Sequence, residues 1–178
     1  MELRDTDLIA RVLAGNDRHA FAELVRRHQS SLRGFLRRLT GGDVALADDL
    51  AQEACIEAYR NLAKFGGASA FETWLLGIGY NRYRQWRRKR RELPMDADAP
   101  EPADEAAEPD GGVRIDVGEA VRRLREEERT ALELCYTRGL SHEEAARVMD
   151  CPTGTLKTHI LRAKARLKSF LAVYSAHA

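Results

Sequence analysis

Three cysteines are too few, too scattered and too odd in number to staple this chain of 178 residues together. Cys55, Cys135 and Cys151 contain no C-x-x-C pair, which excludes a disulfide framework and a structural zinc knuckle. Each lies in or beside an apolar helical pattern and reads as a small buried hydrophobe. No window supplies the roughly 18 successive apolar residues that cross a bilayer, so no membrane insertion is expected. The opening MELRDTDLIARVLAGND mixes acids among its apolar positions and lacks the charged-then-apolar layout of a signal peptide, so a cytoplasmic protein is the expectation. A Gly-rich phosphate loop, a metal-ligand cluster and a triad-like arrangement are also missing, and the histidines are scattered. The chain therefore carries no enzyme, metal or cofactor signature. Sustained alternation of apolar and polar residues, the mark of a strand, occurs nowhere. An all-α fold is expected.

Net charge is scarce as well, at +1. That near-neutrality is an average. Residues 1–91 hold 17 Lys/Arg against 11 Asp/Glu, a net of +6; residues 92–116 hold one Arg against nine acids, a net of −8; residues 117–178 hold 11 against eight, a net of +3. Two basic blocks around an acidic connector point to a polyanionic partner for the blocks. The connector, ELPMDADAPEPADEAAEPDGGVRID, takes four of the five prolines and almost no large apolar residues. It cannot offset the entropy of ordering and should be a flexible, acidic linker. Two small helical domains, 1–91 and 117–178, joined by the linker 92–116, follow.

Helical periodicity fills both blocks. Leu8, Ile9, Val12 and Leu13 make one apolar stripe; Asp17 can cap a second helix carrying Phe21, Leu24, Val25, Leu32, Phe35, Leu36 and Leu39. Gly41-Gly42 interrupts. A third helix from about Ala45 to Leu62 turns Leu50, Ala54, Ala58 and Leu62 inward, and after the loop Phe65–Ser69 a fourth begins near Phe71. In the second block Gly139 ends a helix. Ser141 and Glu144 have capping-box spacing, and Pro152 forces a tight turn at Asp150–Pro152 before a longer helix that runs to about Leu171. A short helix, a turn and a longer basic helix make a helix-turn-helix.

Three stretches carry chemistry. The last helix bears Lys157, Arg162, Lys164, Arg166 and Lys168 and no acid from Thr153 onward. Thr155, Lys157, Thr158, His159 and Arg162 occupy its first turns, where a recognition helix meets base edges and phosphates, while Leu156, Ile160, Ala163 and Leu167 repeat at core spacing. Gly79–Arg91, GYNRYRQWRRKRR, sets seven basic residues and three aromatics in thirteen positions. Guanidinium groups that track phosphates beside rings that stack on bases suit a single strand, whereas duplex DNA offers no free base faces. Phe71, Trp74, Leu75 and Ile78 read as core; Tyr83 and Trp86 fit either core or base stacking. On the third helix Asp49, Glu53 and Glu57 fall at i, i+4, i+8 with Asp48 and Gln52 beside them, a stripe that repels DNA and faces water or a basic protein.

An acidic DDLAQEA helix, then FGGASAFETWLLGIGYN with its basic tail, then a linker, then GLSHEEAARVMDCPTGTLKTHILRAKARL resembles the extracytoplasmic-function (ECF) group of bacterial RNA polymerase sigma factors in content and order. The resemblance implies a promoter-specificity subunit. Asp49, Gln52 and Glu53, with Asp48 beside them, match the face that docks on core RNA polymerase. The loop Lys64–Ala70, with Phe65, and the following helix match the part that captures flipped bases of the melted minus-ten element. Asn81 matches a polar position there, beside Arg82, Tyr83, Arg84, Trp86, Arg87 and Arg88. Lys157, Thr158 and Arg162 match positions that read the minus-thirty-five element of promoter DNA as duplex. An anti-sigma factor is the further partner implied. Asp150 stands where the helix-turn-helix commonly has Gly, Cys55 where an aromatic is frequent, and His159 where Arg is common. A stand-alone helix-turn-helix regulator that recruits no polymerase is the alternative.

Overall fold

Asp17 shows how this chain starts a helix: its carboxylate accepts hydrogen bonds from the backbone N–H groups of His19 and Ala20, both at 3.0 Å. The Ala20 N–H, with the Arg11 guanidinium behind it, holds that carboxyl below the usual aspartate range. The structure, a computed structural model, describes residues 3–92 and 117–175. Two compact units emerge, one organised around Met1–Glu92 and the other around the C-terminal helices.

The first unit has four α-helices: α1 (Asp5–Gly15), α2 (Arg18–Leu39), α3 (Val44–Asn61) and α4 (Phe71–Glu92). Asp43 caps α3 by accepting from the Leu46 N–H at 3.0 Å. Gly41 and Gly42, at φ +68° and +98°, make the break that precedes it. Leu24, Leu32, Phe35 and Leu36 of α2, Leu50, Ala54 and Ala58 of α3, and Phe71, Leu75, Leu76 and Tyr80 of α4 are buried. The α3 residues expected to face inward do so. Leu13 departs from its expected stripe and lies exposed, because α1 meets the core along Leu8, Ile9 and Val12 alone. Gly79 sets the approach of α4 to α2: a Cβ there would lie 2.7 Å from Leu32 Cδ1.

In the C-terminal unit, α5 (Val117–Arg122) and α6 (Glu126–Leu132) lead into one wide π-turn, Glu133–Thr137, in which Arg138 N–H donates to Glu133 C=O at 3.0 Å. Then come α7 (His142–Val148) and α8 (Thr153–Ser175), with α6 packed along α8. The α6–α8 seam includes a carboxylate. Glu128, 1% exposed, accepts from the Arg125 N–H at 3.2 Å and meets Arg166 Nη1 at 3.4 Å. The predicted capping box is present: Glu144 Oε2 accepts from Ser141 N–H (2.9 Å) and Oγ–H (2.8 Å), and Ser141 Oγ accepts from Glu144 N–H (3.2 Å). Asp150 takes the left-handed conformation, φ 50°, and Cys151 N–H closes back on Ala146 C=O at 3.0 Å. The turn and the helix after it form the expected helix-turn-helix. Helix α4 runs one residue past the expected boundary and α8 four residues past Leu171. Of the expected linker 92–116, Glu92 is the last residue of α4 and the rest lies outside the described residues. Among those residues there is no β-strand, and no helix is long and apolar enough to cross a membrane.

Candidate protein and nucleic-acid interfaces

Helix α3 buries Ala47, Leu50, Ala51, Ala54 and Ala58 and thereby turns Asp48, Asp49, Gln52 and Glu53 outward, all four exposed. Asp48 pairs with Arg33 Nε of α2 at 3.2 Å. Exposed Ile56 falls three and four residues after Glu53 and Gln52, on the same face. Sequence patterning missed it because an isolated apolar residue among acids reads as core. A charged rim around an apolar residue is what a protein partner uses, since the apolar side chain can be desolvated at the centre while the charges orient the approach.

Helix α4 carries the basic stretch, and burial and pairing sort the residues grouped there. Tyr83 is 4% exposed, so its ring belongs to the core of this unit and offers no face to a base. Spacing alone could not settle this: Leu76, Tyr80 and Tyr83 continue the buried α4 stripe into residues flanked by arginine. Arg82, one of the cations around these aromatics, donates from Nε to Glu57 Oε2 at 2.5 Å, with Nη1 4.0 Å from Glu53 Oε2. The acidic stripe of α3 and the basic face of α4 thus meet along one edge, which no linear spacing could reveal.

The remaining predicted residues form an exposed set. Asn81, Arg84 and Arg88 are exposed; Arg87 and Trp86 are half-buried. Arg84 lies over the Tyr80 ring at 5.9 Å and Arg90 over the Trp86 ring at 5.4 Å, while Trp86 stacks on Tyr83 with centroids 6.1 Å apart. The buried tyrosines therefore back Arg84 and Trp86, and Trp86 in turn backs Arg90. Before α4, Lys64 ends a short 3₁₀ turn, Leu62–Lys64, and is exposed. Phe65 is half-buried with its ring 6.0 Å from Phe71 and 5.2 Å from Trp74. Gly67, at φ +70°, turns the loop in a conformation that suits glycine. The loop lies beside a semi-exposed aromatic cluster to which Trp74, expected as core, contributes a half-buried ring.

On α8 the burial of Leu156, Ile160 and Ala163 fixes the opposite side toward solvent. Thr155, Lys157, Thr158 and Arg162 are exposed and His159 is half-buried. Thr158 Oγ1 donates to Gly154 C=O at 3.0 Å, which commits its proton and leaves its lone pairs as acceptors. Two of the more distal cations have partners within the unit, Lys164 over the Tyr136 ring at 4.8 Å and Arg166 on Glu128. Lys157 and Arg162, in the first turns, carry the outward charge next to the helix N-terminus. Leu161, 70% exposed beside them, was also missed. Among the described residues no group of three or more His, Cys, Asp or Glu side chains could hold a metal ion.

Among the described residues, an exposed acidic helix face, a basic aromatic-backed helix and a helix-turn-helix, with no β-strand, make up the chemistry of a DNA-binding protein. Family comparison makes the class specific: Sigma-70 region 2 matches residues 24–92, and Sigma-70, region 4 matches residues 114–167. The RNA polymerase sigma-H factor of Pseudomonas aeruginosa is 36% identical over 176 residues, covering 90% of each chain. The ECF RNA polymerase sigma-E factor of Escherichia coli is 37% identical over 179 residues, covering 92% of each. Among solved structures, the sigma factor RpoE in complex with the anti-sigma factor NepR, from Bartonella quintana, matches with a TM-score of 0.64 and 28% identity, covering 86% of this chain and 97% of that one. The chain belongs to the ECF RNA polymerase sigma factors.

Proposed function

We propose that this sigma factor divides its work between its units as its exposed chemistry divides. Asp48, Asp49, Gln52 and Glu53 dock the chain on core RNA polymerase, with Ile56 as the apolar centre of that face. Lys64, Phe65, Asn81, Arg84, Trp86, Arg87 and Arg88 hold the melted minus-ten strand. Aromatic surface stacks on unpaired bases, guanidinium groups follow phosphates, and the Asn81 amide supplies both a donor and an acceptor for a base edge. Thr155, Lys157, Thr158, His159 and Arg162 read the minus-thirty-five element in the major groove. Melting is then favoured by binding: each base held out of the stack stabilises the open strand, and no bond of the DNA is made or broken by this chain. The protein acts as a non-enzymatic specificity subunit in the cytoplasm. The domain limits that fit this division are 1–91 and 117–178, with 92–116 as tether.

The observation that carries the proposal is the outward display, on one chain, of an acidic face on α3 and of unshared cations at the start of α8. Promoter-dependent transcription with core polymerase tests it. Lys157→Ala and Arg162→Ala should each reduce productive initiation about tenfold, the size of one lost base-edge or phosphate contact. Both variants should still join polymerase. Unchanged transcription in both would remove α8 from promoter recognition, and native DNA binding indifferent to polymerase would favour a stand-alone regulator. An anti-sigma partner is proposed as well, on the precedent of the relative solved with NepR. Such a partner should displace the chain from core polymerase in competition; its failure to do so would reject the assignment.

A further inference from the structure

Glu128 sits in the seam between α6 and α8, 1% exposed, where an apolar side chain would pack with no charge to desolvate. Its Oε2 accepts from the Arg125 N–H at 3.2 Å and lies 3.4 Å from Arg166 Nη1 on α8. Arg166 falls two i+4 steps beyond Thr158 and one beyond Arg162, and each such step turns about 40° around the helix axis. The stripe that starts outward at Thr158 and Arg162 therefore drifts toward the seam and reaches it at Arg166, whose side chain is 43% exposed beside the buried acid. We propose that Glu128 is a positioning residue for promoter reading: through Arg166 it fixes the roll of α8, so that Thr158 and Arg162 meet base edges in one register. The proposal rests on the assignment of α8 to duplex DNA and adds a residue that lies outside the DNA-facing set.

Apolar packing alone sets this roll weakly. Leu156, Ile160 and Ala163 are buried along α8, and contacts among such side chains are non-directional, so a helix that rolls slightly keeps most of its burial. A buried carboxylate does not tolerate the same movement, because losing its cation leaves an uncompensated charge in a low-dielectric seam. The Arg125 N–H ties the acid to the start of α6, and Arg166 ties α8 to the acid. Lys164 over the Tyr136 ring also joins α8 to the π-turn, but Tyr136 is 58% exposed and water competes for that cation. Base edges demand the tighter constraint: hydrogen bonds weaken steeply as they bend, and the donor pattern of the wrong base lies close by in the groove.

Selection from a pool of randomised duplexes tests the role on the holoenzyme, the full chain loaded on core RNA polymerase. Sequencing of the bound DNA should show two enriched blocks for the native chain, minus-ten and minus-thirty-five. A Glu128→Leu, Arg166→Leu variant removes both charges and keeps the seam filled, so it should melt no lower than the native chain. Its preference for the favoured bases of the minus-thirty-five block should fall about fivefold, the low end of what one base contact supplies, with the minus-ten block unchanged. Glu128→Gln, of native shape, should show the same selective loss, and Arg166→Lys, which keeps the charge, should retain more of the preference than either. Native minus-thirty-five preference in Glu128→Gln or in the folded double variant would show that packing alone sets the roll. Equal losses in both blocks would reduce Glu128 to a general role in stability. Either result overturns the proposal. A native chain that enriches only the minus-ten block would instead remove α8 from duplex reading, and the positioning role would fall with that assignment.

Discussion

At Asp150 a single backbone angle controls the helix-turn-helix. Its φ of 50° lies where a side chain crowds the backbone, a cost of roughly 1–2 kcal/mol for most L-residues and less for Asp or Asn. The position follows the S-x-x-E cap and precedes Pro152, so the turn was legible in the sequence, as was the departure from the usual glycine. Asp150→Val should cost about 1–2 kcal/mol, lowering the melting temperature by several degrees, because a β-branched residue fits this region worst. Asp150→Gly should melt no lower than the native chain. Equal losses for the two variants in thermal unfolding would show that the left-handed angle is not what the position requires. Other residues were illegible for a reason of the same size. Tyr83 and Trp86 lie three apart amid arginines, yet one is core and the other half-exposed, since which side of α4 faces α2 and α3 depends on partners distant in sequence.

Elements were read more securely than single side chains. Caps at Asp17 and Ser141, breaks at Gly41-Gly42 and Gly139, and the inward alanines of α3 are local signals, and local signals survive folding. The π-turn at Glu133–Thr137 and the pairing of buried Glu128 with exposed Arg166 were not legible: one widens a helix without any proline or glycine, the other joins α6 to α8 across 38 positions. The α2–α4 packing has the same long-range character. Gly79→Ala improves helix propensity by about 1 kcal/mol but drives a methyl group into buried Leu32, and overpacking costs about 1–3 kcal/mol. Denaturant unfolding should therefore find the variant less stable than native by up to about 2 kcal/mol. In a Leu32→Ala background, where room has been made, the same change should stabilise by about 1 kcal/mol. A stabilising Gly79→Ala in the native background would show that α2 and α4 do not approach as closely as described.

Across the whole chain, charge partition was the most informative quantity, because it survives ignorance of the fold. Two basic blocks called for a polyanion, and the acidic stripe in the first called for a different partner. What charge could not show was that stripe and basic face share an edge through Arg82, Glu53 and Glu57. A sigma factor needs both surfaces at once, one for polymerase and one for DNA, and a protein lacking the first would be only a DNA-binding module. Co-migration with core RNA polymerase in size-exclusion chromatography tests that most directly, comparing the native chain with an Asp49→Arg, Glu53→Arg variant whose helicity is checked by circular dichroism. The native chain should elute with polymerase and the folded variant should elute alone. A folded native chain that elutes alone, or a variant that still elutes with polymerase, would contradict the docking face on α3.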